Sequence, residues 1–359
     1  MTQPLITRAQ ASRFVLRRQH LLDPCSDPMQ AVHDACGLQA QIPTSPAMQL
    51  RARVKGFTRA DYGRLLVEER RLVRTWAMRF TVHVLPADQL AMYTQVFETP
   101  GRVQEAAELA LKLLASGPQS RSQLAHRAVT ELGIPAERAR ELFGPWGGVL
   151  QHLARMGLIL HMPAPGTDVP FVRTADWLGA PPVDVPVESL EDALLRAYVY
   201  GYAPVSVKDF MHFTSFKAPR ARAAFQRAGY LTAVRMEGSK LPYYVPAELL
   251  PELLLTRGDE PAPVRLLPRF DPLVLAYSDK TRILPADRRT DVFRPAAVVE
   301  AVALINGSVG GTWRVQTTTK ELRFSFFPFG RQPLKTVETE AERLAKWLGL
   351  KQLAFSVGE

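Results

Sequence analysis

Residues 38–46 read LQAQIPTSP and hold two glutamines, Gln39 and Gln41, around one small apolar residue. Each of the two prolines in this stretch favours an extended backbone at the residue before it. Because side chains two apart on an extended chain point to the same side, the pattern predicts both amides in one small volume, with Ala40 and Ile42 facing the core. Paired amides can orient a water molecule and place carbonyl dipoles beside a cation. The alternative is a polar loop whose glutamines meet solvent.

The composition indicates a globular chain with a basic surface. It has 359 residues, 47% of them hydrophobic, and 45 Lys and Arg against 35 Asp and Glu, for a net charge of +10. At ~150 residues per domain, the length favours two or three domains. The apolar fraction excludes a disordered chain. The positive surplus favours a polyanionic partner, with nucleic acid ahead of a membrane.

Cysteine usage and hydropathy bear on metal binding and compartment. The two cysteines, Cys25 and Cys36, make no disulfide framework and fit a reducing compartment. His33 and Cys36 could share a helix face, but a zinc site usually brings a second ligand pair, so neither metal nor cofactor is predicted. The first ten residues have no apolar signal core, and no apolar run reaches the ~18 residues of a membrane span. These observations predict a cytoplasmic protein without membrane contact.

Helices followed by a pair of strand-like runs recur three times along the chain. The first set has predicted helices at 9–22, 28–37, 47–54 and 59–69, then β-rich runs at 72–76 and 80–85. The second has helices begun at Ser120 or Ser122, at Pro135 and over 147–156, then runs at 158–162 and 169–173. The third follows the proline-rich segment 181–186, with helices at 190–200, 207–213 and 217–228 and runs at 231–236 and 241–245. Helices before a hairpin are typical of a winged helix-turn-helix, and three such sets predict a repeated module.

The pattern becomes β-rich after Pro261. Predicted strands cover 264–268, 273–277, 298–306, 309–316 and 319–327, with a hairpin signal at Asn306-Gly307 and a closing helix at 337–348. The predicted fold is therefore α+β, with three tandem winged helix-turn-helix modules and a small β-rich C-terminal domain. The predicted boundaries are 1–100, 101–180, 181–260 and 261–359.

Several stretches, taken in order, resemble one known family. They are GLQAQ at 37–41 followed by Ser45-Pro46, VRTWAMRFTVH at 73–83, LPRFDPL at 267–273, SDK at 278–280, and NG at 306–307 through GGTWR at 310–314. Over nearly its whole length the chain is similar to the AlkZ-type DNA glycosylases, a winged-helix DNA-binding family. The resemblance implies three winged helices and a β-rich domain around a DNA-binding concavity. It also implies a catalytic glutamine–hydrophobic–glutamine motif at Gln39 and Gln41. One departure is Phe80, where the family usually has glycine; some relatives also have aspartate where this chain has Gln41.

Amide chemistry favours a leaving group that is already cationic. Hydrolysis of an N-glycosidic bond builds positive charge on the sugar, which glycoside hydrolases meet with carboxylates. A glutamine is a poor general base, but it can aim dipoles at that charge and hold the attacking water. The sequence therefore predicts a monofunctional, monomeric glycosylase acting on double-stranded DNA with N7- or N3-alkylated purines, including interstrand crosslinks, in base excision repair or genotoxin resistance. The alternative is a non-enzymatic winged-helix DNA-binding protein, such as a transcription regulator.

Five further residues carry a functional and a structural interpretation each. Arg79 is a predicted phosphate contact or an ordinary surface charge. His83 is a DNA-binding or active-site residue, or a structural histidine in an apolar strand. Lys280 and Arg282 are predicted to lie near the DNA groove and to contact phosphate. Asp271 is a candidate for catalytic support, or a residue that orders the turn before its proline.

Overall fold

The computed structural model describes residues 3–97, 104–144, 148–164, 168–179 and 185–358. The chain forms two compact units. Unit 1 is discontinuous and takes in Met1–Tyr62 and Leu195–Glu359, while unit 2 is the intervening segment Gly63–Leu194. Within the described ranges, no helix has the length and apolarity needed to cross a membrane.

The α-helices vary from a single turn to sixteen residues. In chain order they are α1 Arg8–Arg18, α2 Pro28–Asp34, α3 Ser45–Arg53, α4 Arg59–Gly63, α5 Leu90–Thr94, α6 Gln104–Leu114, α7 Arg121–Leu132, α8 Ala136–Phe143, α9 Gly148–Arg155, α10 Thr174–Leu178, α11 Val187–Tyr202, α12 Val207–Thr214, α13 Ala218–Arg227, α14 Leu250–Leu255, α15 Pro272–Leu275, α16 Arg289–Val292 and α17 Leu334–Trp347.

The strands are short except in the C-terminal part of the chain. In chain order they are β1 Leu5–Ile6, β2 Leu38–Gln39, β3 Leu72–Trp76, β4 Val82–Pro86, β5 Ile159–His161, β6 Phe171–Arg173, β7 Leu231–Met236, β8 Pro242–Pro246, β9 Arg265–Leu267, β10 Phe293–Arg294, β11 Val298–Val299, β12 Ala301–Ile305, β13 Ser308–Thr317, β14 Glu321–Pro328 and β15 Gln352–Val357. Helices and strands together confirm the predicted α+β class, and the number of winged-helix modules stays a prediction.

Helix starts follow the capping signals in the sequence. Thr7, Ser120 and Ser206 each accept a hydrogen bond from the amide of the third helical residue, whose side chain bonds back to the cap in a capping box. Asp27 caps α2 by accepting the amide of the second helical residue, Met29, at 2.9 Å, with Pro28 in the first turn. For α3 the cap residue is Thr44 rather than the following serine, and its side chain makes no capping bond.

Unit 2 packs helices against a small antiparallel sheet. Strand β3 pairs with β4 on one side and β5 on the other, and β5 pairs with β6. Trp76 lies in the core beneath these strands, 8% exposed, and stacks on Phe171 with ring centroids 5.7 Å apart. The indole is therefore a packing residue of this core.

Unit 1 contains a three-stranded sheet, β1-β7-β8, and a five-stranded sheet, β15-β14-β13-β12-β9. The β12–β13 hairpin turns at Asn306-Gly307, as predicted, with φ values of 47° and 80° that suit asparagine and glycine. Trp313 is buried in the larger sheet and donates its indole N–H to the carbonyl of Val302 at 3.1 Å. Helix α17 covers the same core.

The C-terminal region departs from the prediction at two places. Residues 273–275 belong to helix α15 and residues 276–277 follow it, so the predicted strand is absent, because Asp271 caps the helix through the Leu273 amide and Pro272 suits its first turn. Strand β15 was not predicted, and it pairs in parallel with β14. The proline-rich boundary at 181–186 and the turn at 163–166 lie partly outside the described residues.

Candidate active site

The glutamine motif lies in a compact passage between two helices. After α2, Cys36 and Gly37 adopt left-handed conformations, with φ values of 53° and 82°, and reverse the chain into β2. The strand ends at Gln39, and a bend at residues 41–42 leads into α3. The extended backbone predicted for the whole motif is therefore present only in its first part.

The two motif amides have different surroundings. Gln39 is 4% exposed, whereas Gln41 is exposed at the bend. Burial of Ala40, at 1% exposure, confirms the predicted inward position, while Ile42 is only half-buried. A buried amide keeps one geometry and an exposed amide can reach a ligand. The pair can therefore combine a fixed dipole with an accessible one.

A series of three residues supports the backbone of the motif: Gln49 and Arg53, which the sequence analysis missed, and Asp271, whose role it left open. Gln49, buried on α3, donates its Nε2–H to the carbonyl of Gln39 at 3.0 Å and to the carbonyl of Phe270 at 3.4 Å. One turn later, Arg53 Nη1 donates to the Gln49 carbonyl at 3.1 Å. A glutamine and an arginine four apart on an otherwise apolar helix face were the available signal, because buried polar groups need partners.

Arg53 forms a buried ion pair with Asp271. Its two terminal nitrogens contact the two carboxylate oxygens at 2.8 and 2.7 Å, and neither side chain is exposed. Burial alone would lower the pKa of Arg53, but the facing carboxylate raises it above its ordinary value, so the guanidinium stays charged. A series of hydrogen bonds, from Gln39 through Gln49 and Arg53 to Asp271, thus joins the motif to the turn before α15.

Asp271 is placed as a structural residue. Besides Arg53, its Oδ1 accepts the Leu273 amide at 3.0 Å, as expected of a residue that orders the turn. Both of its oxygens are bound to Arg53, and the side chain has no exposed surface. This placement favours the turn-ordering interpretation, while catalytic support by Asp271 stays a prediction.

Lys280 and Arg282 are buried rather than surface cations. Lys280 is 8% exposed, and its Nζ–H groups donate to the carbonyls of Val274 and Leu275, both at 3.2 Å. Arg282 is 7% exposed, and it donates to the Pro204 carbonyl at 2.7 Å and lies 4.0 Å from the Tyr277 ring centre. Both cations satisfy internal acceptors, and the phosphate contacts predicted for them stay predictions.

In unit 2, His83 is a buried neutral histidine. It is 2% exposed, and its Nδ1 lies 2.9 Å from the Thr81 carbonyl, which requires a donated N–H. Burial, with the nearby charge of Arg79, lowers the pKa of His83 to about 3. Burial and the Thr81 contact favour the structural interpretation of His83, and its DNA contact stays a prediction, as does the phosphate contact of the partly buried Arg79.

A second histidine of unit 2, His161, is also buried and neutral. Burial and the charges of Arg74 and Arg121 lower the pKa of His161 to about 3. An unfolded histidine takes up a proton near its ordinary pKa of 6.5. The folded-state pKa values are depressed, so unit 2 should lose stability as pH falls from about 6.5 toward about 3. We expect His161→Gln to flatten this dependence by about 1 kcal/mol per pH unit between pH 6 and 5.

Urea unfolding at several pH values, followed by tryptophan fluorescence, measures that slope. His126→Gln, which replaces an exposed histidine of α7, is the matched control. A slope for His161→Gln equal to that of the wild type would show that the imidazole is charged in the folded protein.

Comparison with known proteins decides the family. A sequence model described as DNA glycosylase AlkZ-like matches residues 32–347. The chain belongs to the AlkZ-like DNA glycosylases. Among relatives of this family, an interstrand DNA cross-link repair glycosylase from Streptomyces sahachiroi is 29% identical over 96% of this chain and 98% of its own length. The solved structure of Streptomyces sahachiroi DNA glycosylase AlkZ superposes with a TM-score of 0.84, at 26% identity, over 98% of this chain and 100% of its own.

Membership of the AlkZ-like family puts the backbone at Phe80 in context. Phe80 has a φ of 58°, a left-handed conformation that glycine, the residue expected there, adopts without a Cβ penalty. The ring is 58% exposed, and the Arg155 guanidinium lies 4.5 Å from its centre. This AlkZ-like chain therefore retains the turn without the glycine, and a cation–π contact with Arg155 offsets part of the conformational cost.

Proposed function

We propose that this AlkZ-like protein is a monofunctional DNA glycosylase that releases cationic N7- and N3-alkylpurines, including purines joined in interstrand crosslinks. The observation that carries the proposal is the motif itself. An exposed Gln41 follows a buried Gln39, and the backbone carbonyl of Gln39 accepts a hydrogen bond from the Gln49 side chain. Two carboxylates near the motif, Asp271 and Glu300, are both buried and bound to arginines, so neither is placed to act as a base. The relative named as a crosslink repair glycosylase supports the extension to crosslinks.

The proposed reaction needs little acid–base assistance. The bond between C1′ of the deoxyribose and the purine nitrogen breaks, and its electron pair neutralises the cationic base. A water oxygen then bonds to C1′ and releases its proton to solvent. Side-chain carbonyls of Gln39 and Gln41 would stabilise the positive sugar and hold that water in place. A neutral leaving group, such as uracil, lacks the positive charge that this arrangement requires.

Excision from defined duplexes tests the proposal. The wild-type protein, in excess over DNA, is expected to release N7-methylguanine, leaving an abasic site that breaks only after alkaline treatment. A uracil duplex of the same sequence is expected to stay intact, because its leaving group is neutral. Strand breaks before alkali would contradict the monofunctional mechanism. DNA binding without excision of any N7-alkyl adduct, crosslinks included, would favour the non-enzymatic DNA-binding alternative.

A further inference from the structure

A cleft of about 360 Å³ lies in unit 1 beside the glutamine motif. One wall includes Ile42, Thr44 and Ser45, which come just after Gln41, and another includes Arg269, together with Arg314 and its neighbours on β13. No carboxylate is among the residues that the structure places on its lining. The cleft therefore joins the motif to two cations that the sequence analysis did not single out.

A buried glutamate holds the two arginines. Glu300 is 4% exposed; its Oε2 accepts Arg269 Nε and Nη2 at 3.1 and 2.6 Å, and its Oε1 accepts Arg314 Nη2 at 2.9 Å. Two cations around one anion leave a net charge of one positive. In the described parts of the chain, Arg269 Nη1 and Arg314 Nε and Nη1 have no hydrogen-bond acceptor. These donors can serve a ligand.

The local backbone directs Arg269 to the cleft and Asp271 to the interior. Phe270, between them, has a φ of 61°, so the chain turns sharply at this point. Asp271 is fully buried on Arg53, while the Arg269 side chain stays 39% exposed and lines the cleft. The same turn thus supports the motif and presents a cation beside it.

The opposite wall adds a second source of positive potential. Helix α3 begins at Ser45, and its cap residue, Thr44, makes no side-chain capping bond. The Ser45 amide donates to the Ile42 carbonyl at 3.0 Å and Pro46 has no N–H, so the helix contributes the positive end of its dipole at this wall. Because both residues line the cleft, the helix start and the arginine pair act on the same volume.

We propose that this cleft binds a phosphodiester of the DNA backbone next to the damaged nucleotide. The inference rests on the proposed glycosylase function for the identity of the ligand. Two guanidinium groups held by a common carboxylate present N–H donors in the geometry that suits phosphate oxygens. A phosphate held there would fix the register of the strand relative to Gln41, without reading its sequence.

A second cleft of unit 1 shows why this one is chosen. It has a volume of about 480 Å³ and is lined by two arginines, Arg17 and Arg257, and three carboxylates, Glu252, Asp259 and Glu260. Its charge is opposite to that required for DNA. It therefore supplies a matched control within the same unit.

Salt dependence of binding to an undamaged duplex tests the proposal. Each phosphate contact adds about 0.9 to the slope of log affinity against log salt. We expect Arg314→Gln and Arg269→Gln each to reduce that slope by about 0.9 and to weaken binding roughly 8-fold at 0.1 M salt. The double variant should reduce the slope by about 1.8. Arg257→Gln, which breaks the exposed Arg257–Asp259 pair of the second cleft, should change neither quantity.

Glu300→Gln keeps both arginines and removes the carboxylate, so it should strengthen DNA binding at low salt. Circular dichroism and thermal melting confirm that each variant is folded. Wild-type slopes in folded Arg314→Gln and Arg269→Gln, together with wild-type affinity at low salt in Glu300→Gln, would overturn the inference and leave the three residues as a structural ion pair network. Excision by the wild-type protein distinguishes the two proposals. If the wild-type protein excises the damaged base while the variants keep the wild-type salt slope, only the phosphate-site proposal is contradicted.

Discussion

Asp271→Asn is expected to lower the free energy of unfolding of unit 1 by about 3–5 kcal/mol. The change leaves Arg53 charged and fully buried, without the carboxylate that compensates its desolvation. It also removes the link through which Arg53 supports Gln49, and Gln49 supports the carbonyl of Gln39. For a unit of this size, a loss of this magnitude lowers the melting temperature by on the order of 10 °C.

Thermal melting of the full chain measures the loss. Asp259→Asn is the matched control, because its partner Arg257 is 79% exposed and an exposed ion pair contributes little to stability. A double variant, Arg53→Met with Asp271→Leu, removes both charges and should recover much of the stability. Equal melting temperatures for Asp271→Asn and Asp259→Asn would mean that the buried pair is solvated.

Gln39→Ala and Gln41→Ala are each expected to slow single-turnover release of N7-methylguanine by roughly 10-fold. If both amides act mainly in the transition state, their removal lowers the excision rate while DNA affinity stays close to that of the wild type. Gln41 is exposed, so its truncation should not change stability, whereas Gln39 is buried and its truncation leaves a small void. The double variant should lose less than the product of the single effects if both amides hold one water.

Gln30→Ala is the matched control for these variants. Gln30 is an exposed glutamine of α2 that contacts Asp34 at 2.9 Å, outside the motif. Melting temperature and binding to undamaged DNA show whether each variant is folded and competent to bind. Wild-type excision rates in both motif variants would place the chemistry elsewhere in the protein.

Local signals in the sequence predicted local structure well. Thr7, Asp27 and Ser206 cap helices, as their residue types favour, because a cap depends only on residues two or three positions apart. Residues 273–277 show the limit of such reasoning: an apolar, β-rich run suggested a strand, and the Asp271-Pro272 cap decided for a helix.

Burial of charged residues could not be predicted from residue type. Lys280 and Arg282 were expected at the surface, because lysine and arginine are rarely buried unless paired. Their acceptors are backbone carbonyls, and that of Arg282 belongs to Pro204, 78 positions away. The same holds for Arg53, whose partner lies 218 positions away and has no signal in the sequence around α3.

That separation has a consequence for how the protein is made. Unit 2 is a continuous segment, whereas the first 62 residues belong to a unit that is completed only after residue 195. At roughly 5–20 residues per second, a ribosome needs about 10–40 s after Arg53 to synthesise its partner 218 residues later. Unit 2 can form its core during this interval, while the glutamine motif is without the support that Asp271 gives through Arg53 and Gln49. The glutamine segment is thus synthesised early and acquires its geometry late, so the nascent N-terminal segment is without its structural partner while unit 2 is being made.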